Sequence, residues 1–234
     1  PDYHASLEFA RAEDRRDPLA AFRPRFHLPA DPQGEPLLYF CGNSLGLQPV
    51  GARDYVEDVL QSWAGRGVEG HFEGAWPWVD YHAFLREPMA AVVGARPAET
   101  VVMNTLTVNL HLMMASFYRP AGRRVKILTE AGAFPSDRYA VVSQLQFHGL
   151  SPEEALIELQ PRPGEACLRT ADVLNRLAEE GEAIALVLLP GVQYYTGQWF
   201  DIAAITAQAR EQGAAAGWDL AHAVGNVPLH LHAD

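Results

Sequence analysis

Apolar and polar positions along the chain follow two alternating rhythms. Compact apolar runs at 125–130, 184–189 and just before Asp219 read as buried strands. Between them, apolar residues recur three and four apart over 105–118, 170–177 and 201–212, as helices that bury one face require. The helix after residue 130 begins beyond an AGAFPSD loop, with Ser136 or Asp137 as its expected cap, and runs to about 147. This repeated strand–helix order predicts a three-layer α/β sandwich with a mostly parallel central sheet.

The earlier part of the chain is less regular. A short helix is expected from residue 7 to 17, where Pro18 ends it, and prolines 24, 29, 32 and 36 then keep the chain extended. LLYF at 37–40 predicts a short buried strand running into a glycine-bearing turn at 41–49. An amphipathic helix is expected over 50–63 and a second over 79–93, the latter disturbed by Pro88. TVVMN at 100–104 predicts another strand, and the proline-punctuated stretch 149–169 holds either a small helix or a hairpin. The last nine residues alternate like the start of one more element.

Composition narrows the function classes. Twenty-nine acids against 18 lysines and arginines give a formal net charge of -11, which disfavours a phosphate-backbone or anionic-membrane partner. Cys41 and Cys167 are too far apart in sequence to suggest a metal motif, and free thiols in a reducing compartment, the cytoplasm, are the expectation. The longest apolar run is too short to span a bilayer. No dinucleotide, Walker, nucleophile-elbow or H-E-x-x-H motif is present. His230 and His232 alternate without a third ligand, so no metal is expected.

Candidate chemistry gathers where strands give way to loops. Asp219 is expected at the carboxyl end of its strand, where open α/β sheets bind ligands. Two uses fit: pairing with a protonated pyridine nitrogen of pyridoxal phosphate, or capping the next turn through the N–H of Ala221 or His222. His222 lies close enough to join the same site. The helix opening at Thr105, Leu106 and Thr107 offers free N–H groups to a phosphate, or simply an N-cap. The single lysine, Lys126, falls inside a strand and is badly placed for Schiff-base chemistry.

Five ordered blocks together resemble kynureninase: FCGNSLGLQP (40–49), TLTVNLHL (105–112), EAGAFPSDRY (130–139), GVQYYTGQ (191–198) and GWDLAHAVGN (217–226). The resemblance implies an aspartate-aminotransferase-like (fold type I) large domain and a cytoplasmic homodimer using pyridoxal 5'-phosphate. It implies hydrolysis of L-kynurenine, or its 3-hydroxy form, to the anthranilate and L-alanine, in tryptophan catabolism toward NAD biosynthesis. By motif, Leu106 and Thr107 would hold the phosphate, as would Tyr195 through its hydroxyl. Phe134 would stack on the ring, with Pro135, Ser136 and Asp137 completing that loop. Asp219 would pair with the ring nitrogen beside His222. His71 would face the substrate's aromatic ring, and Asn43 and Ser44 would lie near its carboxylate.

The family's Schiff-base lysine sits in an S-Y-K-Y-type motif beyond the aspartate, and the sequence stops at Asp234 without it. The resemblance therefore implies the N-terminal part of such an enzyme, whose remainder would be a partner. Residues 1–65 would form an arm and helices of the small domain, and 66–234 the first part of the cofactor-binding domain. Another fold type I lyase, such as a cysteine desulfurase relative, and a non-catalytic fragment are the alternatives.

Overall fold

The computed structural model describes residues 3–233 and divides into two compact units, Pro1–Val79 and Asp80–Asp234. In the first unit, α1 (Leu7–Arg16) starts where the Ser6 side chain accepts the Phe9 N–H, and α2 (Ala52–Arg66) ends at Gly67, whose φ is +57°. The expected strand at 37–40 does not form. Leu38 and Phe40 are 87% and 91% exposed, and Leu37 alone makes a ladder-like bond, to Pro29 O at 2.8 Å. With no neighbouring strand to pair with, apolar character does not suffice to make a strand.

The second unit opens with a broken helix. The helix expected over 79–93, disturbed by Pro88, is a 3₁₀ turn at Trp78–Asp80, then α3 (Tyr81–Phe84) and α4 (Arg86–Val93). Pro88 sits in the first turn of α4, where a missing N–H costs nothing, so the break falls before it at Leu85. Nor is 100–104 a strand. It is unpaired backbone ending at Asn104, whose φ of +50° turns the chain into α5 (Leu106–Phe117). The Asn109 amide secures that turn by donating to Met103 O at 2.7 Å.

The remaining order is β1 (Lys126–Glu130), α6 (Pro135–Phe147), α7 (Pro152–Ala155), β2 (Leu156–Leu159), α8 (Thr170–Glu180), β3 (Ile184–Pro190), α9 (Ile202–Glu211) and β4 (Ala215–Asp219). The four strands are all parallel in the order β2-β1-β3-β4. Stretch 149–169, expected to hold a small helix or a hairpin, holds the small helix α7 and adds the edge strand β2, with Glu130 opposite Leu159. Alternation along β3 from Leu186 to Leu189 shows the layering. Leu186 and Leu188 pack with Leu110, Met114, Val141 and Leu145 of α5 and α6. Val187 and Leu189 pack with Val173 and Leu177 of α8 and Ile205 of α9. The three-layer sandwich is the expected architecture, and every strand points its carboxyl end to the same edge.

Residues 226–233 form turns rather than a new strand or helix. They are tied back by Leu231 N–H to Val93 O at 3.1 Å and His232 N–H to Gly94 O at 3.0 Å.

Candidate functional site at the carboxyl edge of the sheet

Asp219 is the last residue of β4 and lies at this edge, as its sequence position suggests. Its backbone carbonyl accepts the Gly191 N–H at 2.7 Å, which fixes the loop after β3 against the end of β4. The approach is close, since a Cβ on residue 191 would stand 2.6 Å from Leu220 Cδ2 and 3.0 Å from Ala223 Cβ, so that Leu220 would have to shift. The Asp219 side chain serves two partners. Its Oδ1 accepts the Ala221 N–H at 2.8 Å, the turn-capping bond, and its carboxyl meets that of Asp137. Capping and site chemistry are therefore compatible in one residue.

Asp137 is buried in the first turn of α6. Burial, first, and then the Asp219 carboxyl beside it hold its titration well above the ordinary aspartate range. Ser136 Oγ donates to Asp137 Oδ1 at 3.3 Å and pulls weakly the other way. Neither Ser136 nor Asp137 caps α6. The N-cap is Phe134 with no side-chain bond, and Pro135 occupies the first helical position, where its fixed φ starts the helix unaided.

Aromatic rings close the cleft. Phe134 and Tyr194 meet edge to face at 5.1 Å between centroids, Tyr194 and His222 lie 6.2 Å apart, and Tyr194 and Tyr195 lie 6.3 Å apart. Phe134 remains 44% exposed, which leaves a ring face free for a flat ligand. Phe134, Asp137, Asp219 and His222 line one cleft together with Glu130 and Tyr194. Leu106 lies with Asp219 along a neighbouring groove of about 370 Å³ between α5 and β4, apolar almost throughout and polar at its Asp219 end. Thr107 follows Leu106 in the first turn of α5, exposed, in a helix whose Thr105 N-cap makes no side-chain bond to the free N–H groups. Tyr195 is 87% exposed and lines a separate cavity of about 340 Å³ on the far side of Glu130.

Asn43, Ser44 and His71 belong to the first unit. All three are exposed, Asn43 and Ser44 in the turn at 41–45 and His71 at the end of a 3₁₀ turn with its ring 5.2 Å from Trp78.

Three contributors went unrecognised in the sequence. Tyr194 is the ring between Phe134 and His222, and the tandem tyrosines left open which of the two faces the cleft. Gln193 is buried, and its Oε1 accepts the N–H groups of Tyr195 and Thr196 at 2.6 and 2.7 Å. Glu130 ends the apolar strand β1 with a buried carboxyl whose Oε1 has no hydrogen-bond partner, and burial lifts its pKa to about 7. A charged residue closing an apolar run was the available signal.

Lys126 begins β1 and so lies at the opposite, amino edge, where its Nζ contacts Glu180 at 2.8 Å. Among the described residues no three His, Cys, Asp or Glu side chains gather as a metal site, and His232 pairs with Glu99 at 2.9 Å instead. No described helix is long and apolar enough to cross a membrane.

Fold and edge site together define a parallel α/β domain of the kind found in pyridoxal-phosphate enzymes. The cystine C–S lyase C-DES, solved with its product cysteine persulfide, superposes with a TM-score of 0.61 at 20% identity, covering 82% of this chain and 49% of that one. Cysteine desulfurase from Thermococcus onnurineus aligns with a TM-score of 0.57 at 19% identity, over 88% of this chain and 46% of that one. In sequence the relatives are kynureninases. Those of Myxococcus xanthus and Koribacter versatilis are each 54% identical, over 99% and 98% of this chain, and that of Nematostella vectensis is 52% identical over 97%. The chain spans about half the length of these curated relatives, 54%, 54% and 51%. No protein-family model matches it.

Proposed function

We propose that this chain supplies the cofactor-holding edge of a kynureninase, the pyridoxal-phosphate-dependent hydrolase that cleaves L-kynurenine or 3-hydroxykynurenine to the anthranilate and L-alanine. The carrying observation is the Asp137–Asp219 carboxyl pair at the ends of β4 and α6, ringed by Phe134, Tyr194 and His222. Two acids in contact are short of positive charge, and a protonated ring nitrogen supplies it. The residues present thus fit the group.

In this reading Asp219 holds the proton on the ring nitrogen, Asp137 steadies Asp219, and Phe134 covers one ring face. Leu106 and Thr107 offer N–H groups at the start of α5 to the phosphate, and Tyr195 adds a hydroxyl. Pro135 and Ser136 shape the loop, His222 lines the cleft, and His71, Asn43 and Ser44 contact substrate. When bound, the cofactor draws electrons away from the substrate carbon whose bond to the carbonyl is broken. Lysine chemistry must come from outside this chain, because Lys126 is engaged at the wrong edge. A homodimer in the cytoplasm, acting in tryptophan catabolism, accompanies the same reading, with residues 66–234 as the cofactor-binding part and 1–65 as the arm.

Co-expression with the segment of Myxococcus xanthus kynureninase that this chain does not match tests the proposal. Release of anthranilate from kynurenine, lost in Asp219→Ala, is expected. Release of sulfur from cysteine with no cleavage of kynurenine would instead favour the desulfurase alternative suggested by the structural likenesses.

A further inference from the structure

Glu130 lines the cleft but has no role in the proposed function, and it is the least satisfied charged group there. It is 4% exposed, its Oε1 has no hydrogen-bond partner, and its backbone closes β1 between two cavities. Its polar neighbour is the Gln193 amide, whose contact partly offsets the effect of burial. Gln193 in turn organises the whole turn after β3. Its Oε1 accepts from Tyr195 N–H, Thr196 N–H and Thr196 Oγ1, and its Nε2 donates to Gly132 O at 3.3 Å. The chain of contact runs from a buried acid, through one amide, to the backbone that aims Tyr194 and Tyr195.

We propose that Glu130 is a positioning residue for the turn bearing Tyr194 and Tyr195, acting through Gln193, and that negative charge on Glu130 loosens this turn. The physical ground is the desolvation of a carboxylate with one amide for company. A neutral carboxylic acid is accommodated there. An anion is accommodated only if the turn opens and admits water, so opening becomes easier as Glu130 ionises.

Other titratable groups face Glu130 and must be separated from it. Asp137 from α6, Asp219 from β4 and His222 from the turn beyond share one cavity wall, while Tyr194 and Tyr195 stand on the turn itself. On the β2 side Glu158 is paired with Arg138 at 2.9 Å. No lysine or arginine lines either cavity among the described residues. The sign follows from the raised pKa. Closure is fully favoured below the ordinary glutamate value of 4.5 and weakens as pH rises toward about 7.

Amide hydrogen exchange on this chain, corrected for intrinsic exchange, reads the turn directly at Tyr195 and Thr196 from pH 5.5 to 8.5. Protection in the wild type should fall at least about tenfold across that range. Glu130→Gln should hold protection flat and high, because the amide is neutral at every pH. Asp137→Asn should retain the fall. A Glu130→Gln variant that follows the wild-type curve, or an Asp137→Asn variant that abolishes it, overturns the proposal. Should Glu130→Gln not fold, the carboxyl ¹³C shift of Glu130 in the wild type decides: a midpoint near 7 supports the proposal and one near 4.5 overturns it.

Discussion

Replacing Asp219 with asparagine should make this chain more stable at pH 8, although Asp219 is the residue assigned the most important contact. The perturbation is confined. Asn keeps a side-chain oxygen for the Ala221 N–H, which Asp219 accepts at 2.8 Å, and differs by losing the charge that faces Asp137. Two full charges 4 Å apart repel by about 4 kcal/mol at an effective dielectric near 20. Asp219 is only partly buried and the pair retains a proton part of the time, so ~1–2 kcal/mol is the expected gain. Asp137 titrates above its ordinary 3.8, so folding holds that proton more tightly than the unfolded chain does. The wild type therefore loses stability as pH rises from there into the neutral range, and the variant loses less, because burial of Asp137 remains while the Asp219 charge is gone. Urea unfolding of both proteins at pH 5 and pH 8 measures the difference. A gain at pH 8 that disappears by pH 5 is expected. Equal stability at both values would falsify the claim that these carboxyls repel.

Two further substitutions probe the frame. Gly94→Ala should destabilise by more than about 2 kcal/mol in thermal or urea unfolding, because φ there is +64° and a Cβ would lie 2.2 Å from Leu229 O. Lys126→Ala should cost under about 1 kcal/mol, since its ion pair with Glu180 is about a third exposed, and should leave pyridoxal phosphate binding unchanged.

The parallel sheet was legible because its strands are buried on both faces and so appear as unbroken apolar runs, as β3 does. LLYF at 37–40 and TVVMN at 100–104 carry a similar local signature without forming strands. What separates them from β3 is a partner at the neighbouring ladder position, which a local pattern does not encode. Edge strand β2 was obscured for the opposite reason: four residues between prolines, only Leu159 fully buried, leave almost no period to detect.

At the site, Asp219 and His222 were found from their place at a strand end, Phe134 and Asp137 through motif resemblance, and the structure brings all four to one cleft. Glu130 and Gln193 were not singled out, because their importance lies in burial and in bonds made across 61 residues, as from Gln193 to Gly132. The cap of α6 was misassigned because Ser136 and Asp137 are favoured capping residue types. Proline at the first helical position made a side-chain cap unnecessary, leaving the Asp137 carboxyl to meet Asp219.

Equilibrium dialysis of the chain against pyridoxal 5'-phosphate, followed by borohydride reduction and mass analysis, tests the central claim most directly. Saturable one-site binding is expected, weakened at least about tenfold in Asp219→Ala and leaving no reduced adduct on Lys126. Absence of binding, or cofactor trapped on Lys126 with Asp219→Ala binding as well as wild type, would contradict it.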